Sequence, residues 1–395
     1  MITILGSTGT IGVNALSVIS KIKKSYPIFA LTADKNIKLL FSQIKEYRPI
    51  YAVIGDQLNA INLRKLCKTH NIKTKILFGT SGLLYVTEHP RVKNVLSAIV
   101  GAAALEPTIN AIKNSKNILL ANKESLIMSG SLMIKLARKS GSLIIPVDSE
   151  HNAILQIMST YGLEYNNSTL NHKINHVTLT ASGGPFLNFT KEQLLKVTPN
   201  EAVKHPKWKM GKKISIDSAT MMNKVFEVIE TKNIFSIAYK KISILIHPKS
   251  YIHAIVKFHD GTFQFLAHEA SMKIPIFNTL YIDEFKKINS KRLNIRILNN
   301  LKFKKINKKL FPVISILDYL PSKTSLFETV LVVANDELVN LFLKRKISFY
   351  EISKNLISFV NLKEFQKYKK INPKNIEDIH NLSNYVRLKL NSFCI

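Results

Sequence analysis

Two cysteines in 395 residues, Cys67 and Cys394, supply neither a disulfide framework nor the paired spacing of a zinc site. A chain this poor in thiols suits a reducing compartment. Its apolar runs stay well short of a membrane span. Met1 leads directly into the strand-like Ile2-Thr3-Ile4-Leu5, which leaves no room for a signal or transit peptide. The expectation is a soluble, cytoplasmic protein with no membrane partner. Acidic residues are scarce as well: 26 Asp+Glu face 57 Lys+Arg, a formal charge of +31. A nucleic-acid binder concentrates its basic residues on one motif or stripe and interleaves aromatics for stacking. Here lysine is spread along the whole chain with abundant Ile and Asn, residues with AT-rich codons. A low-GC coding bias accounts for the excess, and no nucleic-acid partner is expected. The positive field still helps to draw in phosphorylated substrates. With 46% apolar residues, there is material for a buried core divided among two or three domains.

Against that basic background, paired carboxylates stand out. Pro146-Val147-Asp148-Ser149-Glu150-His151-Asn152 follows an apolar run, Ser142 to Val147, that reads as a buried strand, and precedes a helical pattern from about Asn152. Asp148 and Glu150 therefore lie beyond the carboxyl end of a strand, where open α/β sheets bind their ligands. Positions two apart in an extended backbone point the same way, so both acids can converge on one cation. A strand exit with a helix-capping Asp would look the same.

The chain opens on a strand, then Gly6-Ser7-Thr8-Gly9-Thr10-Ile11-Gly12, then an apolar-periodic run from Val13 to Ile22. Strand, glycine turn and helix form the start of a dinucleotide-binding unit, in which the helix N-terminus offers unpaired N–H groups to a pyrophosphate. The spacing is G-x-x-G-x-x-G, a variant found among NADP-using enzymes. A second strand, Phe29 to Thr32, leads to Ala33-Asp34-Lys35-Asn36, where an adenosine ribose belongs. An acid there receives the 2′-hydroxyl of NAD and a base accommodates the 2′-phosphate of NADP; Asp34 and Lys35 offer both. Strand–helix alternation continues through Tyr51–Ile54, Asn59–Thr69, Val95–Val100, Glu106–Ile112 and Asn117–Leu120, a doubly wound sheet running to about residue 146. It delivers a polar cluster, Ala121-Asn122-Lys123-Glu124-Ser125, whose lysine is either solvated or paired with Asp148 and Glu150.

Farther on, the strand Val177–Thr180 meets Ser182-Gly183-Gly184-Pro185-Phe186, a turn able to present a hydroxyl and N–H groups to an anion. His205-Pro206-Lys207-Trp208-Lys209-Met210-Gly211 holds the only tryptophan. Ile214 to Ser218 reads as a strand, with helix from Ala219 capped by Ser218. Ser218, Asn223 and Lys224 make a plausible phosphate cradle at that helix start, and Glu227, on the face of Asn223, can add a third carboxylate to a metal. A routine amphipathic helix is the alternative. Strands at Ser243–Ile246, Ile252–Phe258 and Thr262–Ala267 extend a second sheet. Between Lys286 and Lys309 there are ten basic residues and no acidic one, which looks like a linker. Beyond Phe311 the pattern is helical, with Thr324–Lys344, Phe349–Phe359 and Ile376–Leu390 as a small bundle carrying no catalytic cluster.

Taken together, Gly6–Gly12, Ala121–Ser125, Val147–Asn152, Ser182–Phe186, His205–Gly211 and Asp217–Lys224 closely resemble the 1-deoxy-D-xylulose 5-phosphate reductoisomerase family, in order and over nearly the whole chain. The resemblance implies an α/β protein: an N-terminal Rossmann-like doubly wound domain (1–146), an α+β catalytic domain (147–285) with a mobile lid near 268–272, a basic linker (286–309) and a C-terminal helical bundle (310–395). It implies that Asp148, Glu150 and Glu227 ligate Mg²⁺ or Mn²⁺. Ser182, Ser218, Asn223 and Lys224 would hold the substrate phosphate, while Lys123, Ser149 and His205 contact the sugar and Trp208 closes over it. Thr8, Gly9, Thr10, Ile11, Lys35, Asn36, Asn122, Glu124 and Gly211 would line the NADPH site. The implied reaction rearranges the sugar skeleton to a methyl-erythrose phosphate aldehyde, which NADPH reduces to 2-C-methyl-D-erythritol 4-phosphate. A homodimer is implied as well.

The chain departs from the family pattern at three places. Asp34 stands where glycine is common, Val225 replaces the glycine of Asn-Lys-Gly-Leu-Glu, and His268-Glu269-Ala270-Ser271-Met272 replaces a Gly-Glu-Pro-Asp-Met lid. Losing Gly and Pro changes the hinge chemistry of that loop. The rival readings are a different NADP-dependent dehydrogenase of a phosphorylated or semialdehyde substrate, an inactive descendant, or a basic nucleic-acid-binding protein. The first needs a catalytic Cys or another acid–base set, and neither Cys67 nor Cys394 lies in a site-like motif.

Overall fold

The computed structural model describes residues 1–22, 26–162, 173–208, 210–282, 287–292 and 294–393. Lys209, Lys286 and Cys394, each named above, lie outside them. The chain packs into two compact units: Met1–Ser125 with Met133–Asp148 and Met272–Ile288, and Leu126–Leu132 with Ser149–Ser271 and Asn289–Ile395.

The first unit is built on seven parallel strands: β1 (Ile2–Leu5), β2 (Ile28–Thr32), β3 (Tyr51–Ile54), β4 (Lys75–Phe78), β5 (Asn94–Ser97), β6 (Asn117–Leu120) and β7 (Ile144–Pro146). Their order is β4-β3-β2-β1-β5-β6-β7, so the direction of winding reverses between β1 and β5. That reversal opens the crevice in which such sheets bind dinucleotides. Every residue of β1, β2 and β5 is buried, as expected where helices cover both faces of a parallel sheet. β4 and the helix behind it, Gly79–Glu88, escape the sequence pattern. β4 is the sheet edge, with Lys75 and Phe78 exposed, and its three-residue apolar run Ile76-Leu77-Phe78 is too short to mark a strand by itself. The helix Lys273–Leu280 returns to this unit and packs on the helix Thr10–Ser20.

The second unit holds a mixed four-stranded sheet, β11-β10-β8-β9, from β8 (Ile174–Ala181), β9 (Ile242–Ile246), β10 (Ile252–Phe258) and β11 (Phe263–Ala267). β8 and β9 are parallel, whereas β10 runs antiparallel to both of its neighbours. In the basic segment, Lys304 exchanges backbone hydrogen bonds with Ile246 beside β9. The helix Phe327–Leu343 is apolar almost all round and buried along most of its length. It packs against Phe349–Val360, which starts on a Ser348/Glu351 capping box, and against Ile376–Phe393.

Two local expectations fail. Ile214 to Ser218 is not a strand: Lys212–Thr220 is a helix, and Ser218 lies inside it rather than capping the next one. Alternating Ile214 and Ile216 imitate a strand, but the helical partners four apart decide, since Ser215 bonds back to Gly211 and Lys213 pairs with Asp217 at 3.0 Å. Met221, left-handed at φ 69°, then breaks the helix and starts Met222–Phe235. The helix expected from Asn152 begins earlier, at Ser149, so Glu150 occupies its first turn and not an extended strand.

Candidate active site

In the first unit the Gly6–Gly12 turn is held by Thr32 and Gln43. Ser7 N–H donates to Thr32 O at 2.8 Å, and Gly6 N–H donates to Thr32 Oγ1 at 2.8 Å. The Ser7 hydroxyl and carbonyl are both tied to Gln43, at 2.7 and 2.8 Å. A Cβ on Gly12 would lie 2.4 Å from Ser7 Cα and 2.5 Å from Gly6 O, so only glycine lets the helix start this close under the turn. Gly9 caps Thr10–Ser20 with no side-chain bond, which leaves the first-turn N–H groups of that helix for a ligand. Gly9 and Thr10 are exposed there, with Thr8 and Ile11 half-buried.

Lys35 and Asn36 are exposed at the end of β2, and Asn36 Oδ1 caps Ile37–Tyr47 by accepting from Leu39 N–H at 3.1 Å. Asn122 is buried and fully engaged. Its Nδ2 donates to Ile99 O, Gly101 O and Glu124 Oε2, and its Oδ1 accepts from Ser125 N–H at 2.8 Å to cap Lys123–Ser140. It thus ties the exit of β6 to the exit of β5. Lys123, nearly buried, reaches Asp148 Oδ2 at 2.9 Å.

The second unit gathers the remaining polar residues on a few buried turns. Lys224, 4% exposed, lies in the first turn of Met222–Phe235 and donates to Glu150 Oε1 at 2.5 Å, to Glu227 Oε2, and to Thr180 O at 2.6 Å. Burial works against its charge, yet the carboxylates of Glu150 and Glu227 outweigh it and raise the lysine above its ordinary range. Asn223 Nδ2 donates to Glu227 Oε1, and Ser149 Oγ donates to Glu150 Oε2 at 2.5 Å. Carboxylate oxygens of Glu150 and Glu227 lie within 4.8 Å of each other. Asp148 is the residue at which the chain passes from the first unit into the second. Two trans peptides hold its Cα within about 7 Å of that of Glu150.

Ser182 follows β8, and its Oγ lies 3.0 Å from His205 Nε2. The tautomer follows from the other ring nitrogen: His205 Nδ1 accepts from Lys207 N–H and Trp208 N–H at 3.1 and 2.9 Å, so it carries no proton. Nε2–H then donates to Ser182, and burial keeps the ring neutral by lowering its pKa to about 4. Ser182 Oγ also accepts from Gly184 N–H at 3.1 Å, which leaves its own O–H to donate outward. Gly184 lies against the next helix, where a Cβ would meet Ser218 O at 2.9 Å, so the Ser182 turn and Ser218 are neighbours. Gly211 caps Lys212–Thr220 and is exposed.

Sequence reasoning gave His151 and Thr180 no role. His151 is fully buried, with Nε2 3.0 Å from Glu227 O and 3.1 Å from Thr231 Oγ1, so it fixes the backbone that carries Glu227. Its position directly after Glu150 was the available signal. Thr180 acts through a backbone carbonyl, for which no sequence signal exists.

Family models for 1-deoxy-D-xylulose 5-phosphate reductoisomerase match residues 2–130, and models for its C-terminal domains match 144–235 and 268–389. The chain is 44% identical over 394 residues to the 1-deoxy-D-xylulose 5-phosphate reductoisomerase of Pelagibacter ubique, covering 100% of this chain and 99% of that protein. Among solved structures it is similar to a reductoisomerase in complex with NADPH, fosmidomycin and magnesium, at 34% identity and TM-score 0.92, covering 100% of this chain and 98% of that one. It is also similar to the Zymomonas mobilis enzyme in complex with NADPH, at 32% identity and TM-score 0.88 with the same coverage. In sequence over its whole length and in fold, the chain belongs to the 1-deoxy-D-xylulose 5-phosphate reductoisomerase family.

Proposed function

We propose that Asp148, Glu150 and Glu227 hold a divalent ion, Mg²⁺ or Mn²⁺, and that the residues around them bind the substrate of this family's reaction. The chain is an NADPH-dependent oxidoreductase that converts 1-deoxy-D-xylulose 5-phosphate to 2-C-methyl-D-erythritol 4-phosphate. The observation that carries the site assignment is the Lys224 ammonium clasped by two carboxylates, the half-buried Glu150 and the buried Glu227. An all-oxygen donor set that already holds one cation suits a hard divalent ion.

When bound, the metal polarises the substrate carbonyl and NADPH supplies a hydride. The other steps belong to this chain. Lys224 leaves the acids for the substrate phosphate, joined there by Ser182 O–H, Ser218 and Asn223. Lys123, beside Asp148, steadies negative charge on the sugar oxygens or relays a proton. Ser149 and neutral His205 orient hydroxyls, and Trp208 excludes water from the aldehyde before its reduction. Phosphate contacts far from the reacting carbons supply binding energy that positions them. Thr8, Gly9, Thr10 and Ile11 receive the pyrophosphate, Lys35 and Asn36 the ribose end, and Asn122, Glu124 and Gly211 the remainder of the cofactor.

The same reading divides the chain into a cofactor domain (1–146), a catalytic domain (147–285), a linker (286–309) and a supporting helical domain (310–395). The enzyme works as a homodimer in the cytoplasm. In support of the dimer, β11 is a sheet edge with Phe263 and Phe265 exposed at 61% and 54%, a face and edge fit to pair with a second copy. The buried free thiol of Cys67 suits a reducing compartment. The test is NADPH oxidation with 1-deoxy-D-xylulose 5-phosphate, with and without Mg²⁺. Glu227→Gln should lower kcat by at least about a thousandfold, as expected for loss of a ligand that stabilises developing charge. Metal-independent turnover, or near-normal turnover by the variant, refutes the assignment.

A further inference from the structure

His268 stands where the family commonly has glycine, and its ring does not point idly into solvent. It stacks on His253 with ring centroids 3.7 Å apart and planes 19° from parallel. His253, on β10 and 2% exposed, meets the Trp208 indole edge-on at 6.2 Å and 67°. Backbone bonds fasten the same place: His268 N–H donates to Tyr251 O at 3.0 Å, and His253 Nε2 lies 3.3 Å from His268 O. His268 Nδ1 lies 2.7 Å from Glu269 O, a carbonyl that can only accept, so this nitrogen carries the proton and the ring orientation is set. Burial holds the His268 imidazole below its usual range and favours its neutral form. Within the loop, Ser271 N–H donates to Glu269 O at 2.7 Å. Glu269 pairs at 3.5 Å with a Lys291 that is 84% exposed, a contact that solvent weakens to almost nothing.

We propose that His268 is a positioning residue whose stack on His253 latches the segment 268–271 to Trp208, so that the two segments closing on the sugar are preset before substrate arrives. Glycine offers no ring for such a stack, and a loop with glycine there must be ordered at the expense of substrate binding. Presetting the loop removes part of that ordering cost and appears as a lower KM, with little effect on the chemical step. The inference rests on the reading that His205 and Trp208 face the sugar, and it adds what holds them ready.

The chain has a single tryptophan, so indole emission reports on the surroundings of Trp208 alone. The experiment compares wild type, His268→Ala and His268→Phe with Mg²⁺ present. It reads Trp208 emission at rest and on titration with 1-deoxy-D-xylulose 5-phosphate without NADPH, then kcat and KM with NADPH. His268→Ala should shift the resting emission and raise KM about tenfold, with kcat changed less than about twofold. His268→Phe, which keeps an aromatic face, should return KM to within about twofold of wild type. A wild type whose emission responds to substrate, beside an alanine variant with unchanged resting emission and KM, overturns the latch alone. A wild type whose emission ignores substrate removes Trp208 from the sugar and takes the latch with it. A phenylalanine variant as impaired as alanine also overturns the stacking role.

Discussion

The two units hold their candidate ligands by opposite means. In the first, the turn from Gly6 to Gly12 is shaped by missing side chains and by backbone bonds to Thr32, and what it presents is a helix start with N–H groups to spare. In the second, the residues that matter are charged, with Lys224 and Glu227 buried and Glu150 half-buried. Lys224, Glu150 and Glu227 neutralise one another in a place that would reject any of them singly. The first device depends on steric room and is indifferent to pH. The second depends on charge balance and has a resting state of its own, with the lysine standing between the carboxylates proposed to hold a metal.

If the cofactor turn works through room alone, a single methyl group should break it. Gly12→Ala places a Cβ 2.4 Å from Ser7 Cα with only backbone around it, so nothing can swing aside. It should cost at least about 4 kcal/mol, divided between folding stability and NADPH affinity. Ser20→Ala, exposed at the far end of the same helix Thr10–Ser20, is the control. Its NADPH affinity should stay within about twofold, as for surface substitutions away from special features. Calorimetric titration with NADPH and thermal melts read both variants. Equal behaviour would erase the distinction between the units.

The charged unit has a second buried acid remote from the proposed ligands, and there pH is the lever. Glu328 at the start of Phe327–Leu343 is fully buried, and burial pushes its pKa up to about 7 despite hydrogen bonds from Ser325 N–H and Oγ at 3.0 and 2.6 Å. The group is neutral in both states below the unfolded value. As pH rises, the unfolded chain releases its proton first, so stability is lost progressively from about 4.5 up to about 7. The shift corresponds to roughly 3 kcal/mol at pH 8. Glu328→Gln keeps an oxygen for Ser325 and removes the titration. It should melt higher than wild type at pH 8, and the difference should shrink to nothing by pH 5. A pH-independent difference would assign the effect to packing instead.

The same contrast explains what could be read in advance. The doubly wound sheet was legible because runs such as Ile28-Phe29-Ala30-Leu31 of β2 and Tyr51–Ile54 of β3 are apolar and closed by polar turns. The Gly6 turn was legible because its spacing is local. Edge strand β4, half exposed, carried no comparable signal. For Ile214–Ser218, local alternation misled, and tertiary anchoring chose the helix instead: Asp217 is fixed by Lys213 and by Asn335 Nδ2 at 2.8 Å, more than a hundred residues away. The residue types at the acidic site could be read off, and so could the shared face of Asn223 and Glu227. That Lys224 bridges Glu150 and Glu227 could not, because it depends on how the starts of two helices pack.

Backbone strain separates the units on a smaller scale. Met221 and Arg48 both adopt left-handed conformations at the boundary of a helix, with φ 69° and 46°. Met221 is buried at the junction that sets Ser218 against Asn223 and Lys224, so its side chain has packing to compensate the strain. Arg48 is exposed, ends Ile37–Tyr47, and donates only its N–H to Ile44 O. Glycine there relieves a conformation that disfavours Cβ, while its looser unfolded chain offsets part of the gain. Arg48→Gly should therefore stabilise the protein by about 0.5–1 kcal/mol without altering kcat or either KM. Chemical denaturation, with the slope on denaturant unchanged, reads the gain. A loss of stability would mean that the arginine side chain contributes packing greater than the strain it imposes, and that this helix end is not the idle surface its exposure indicates.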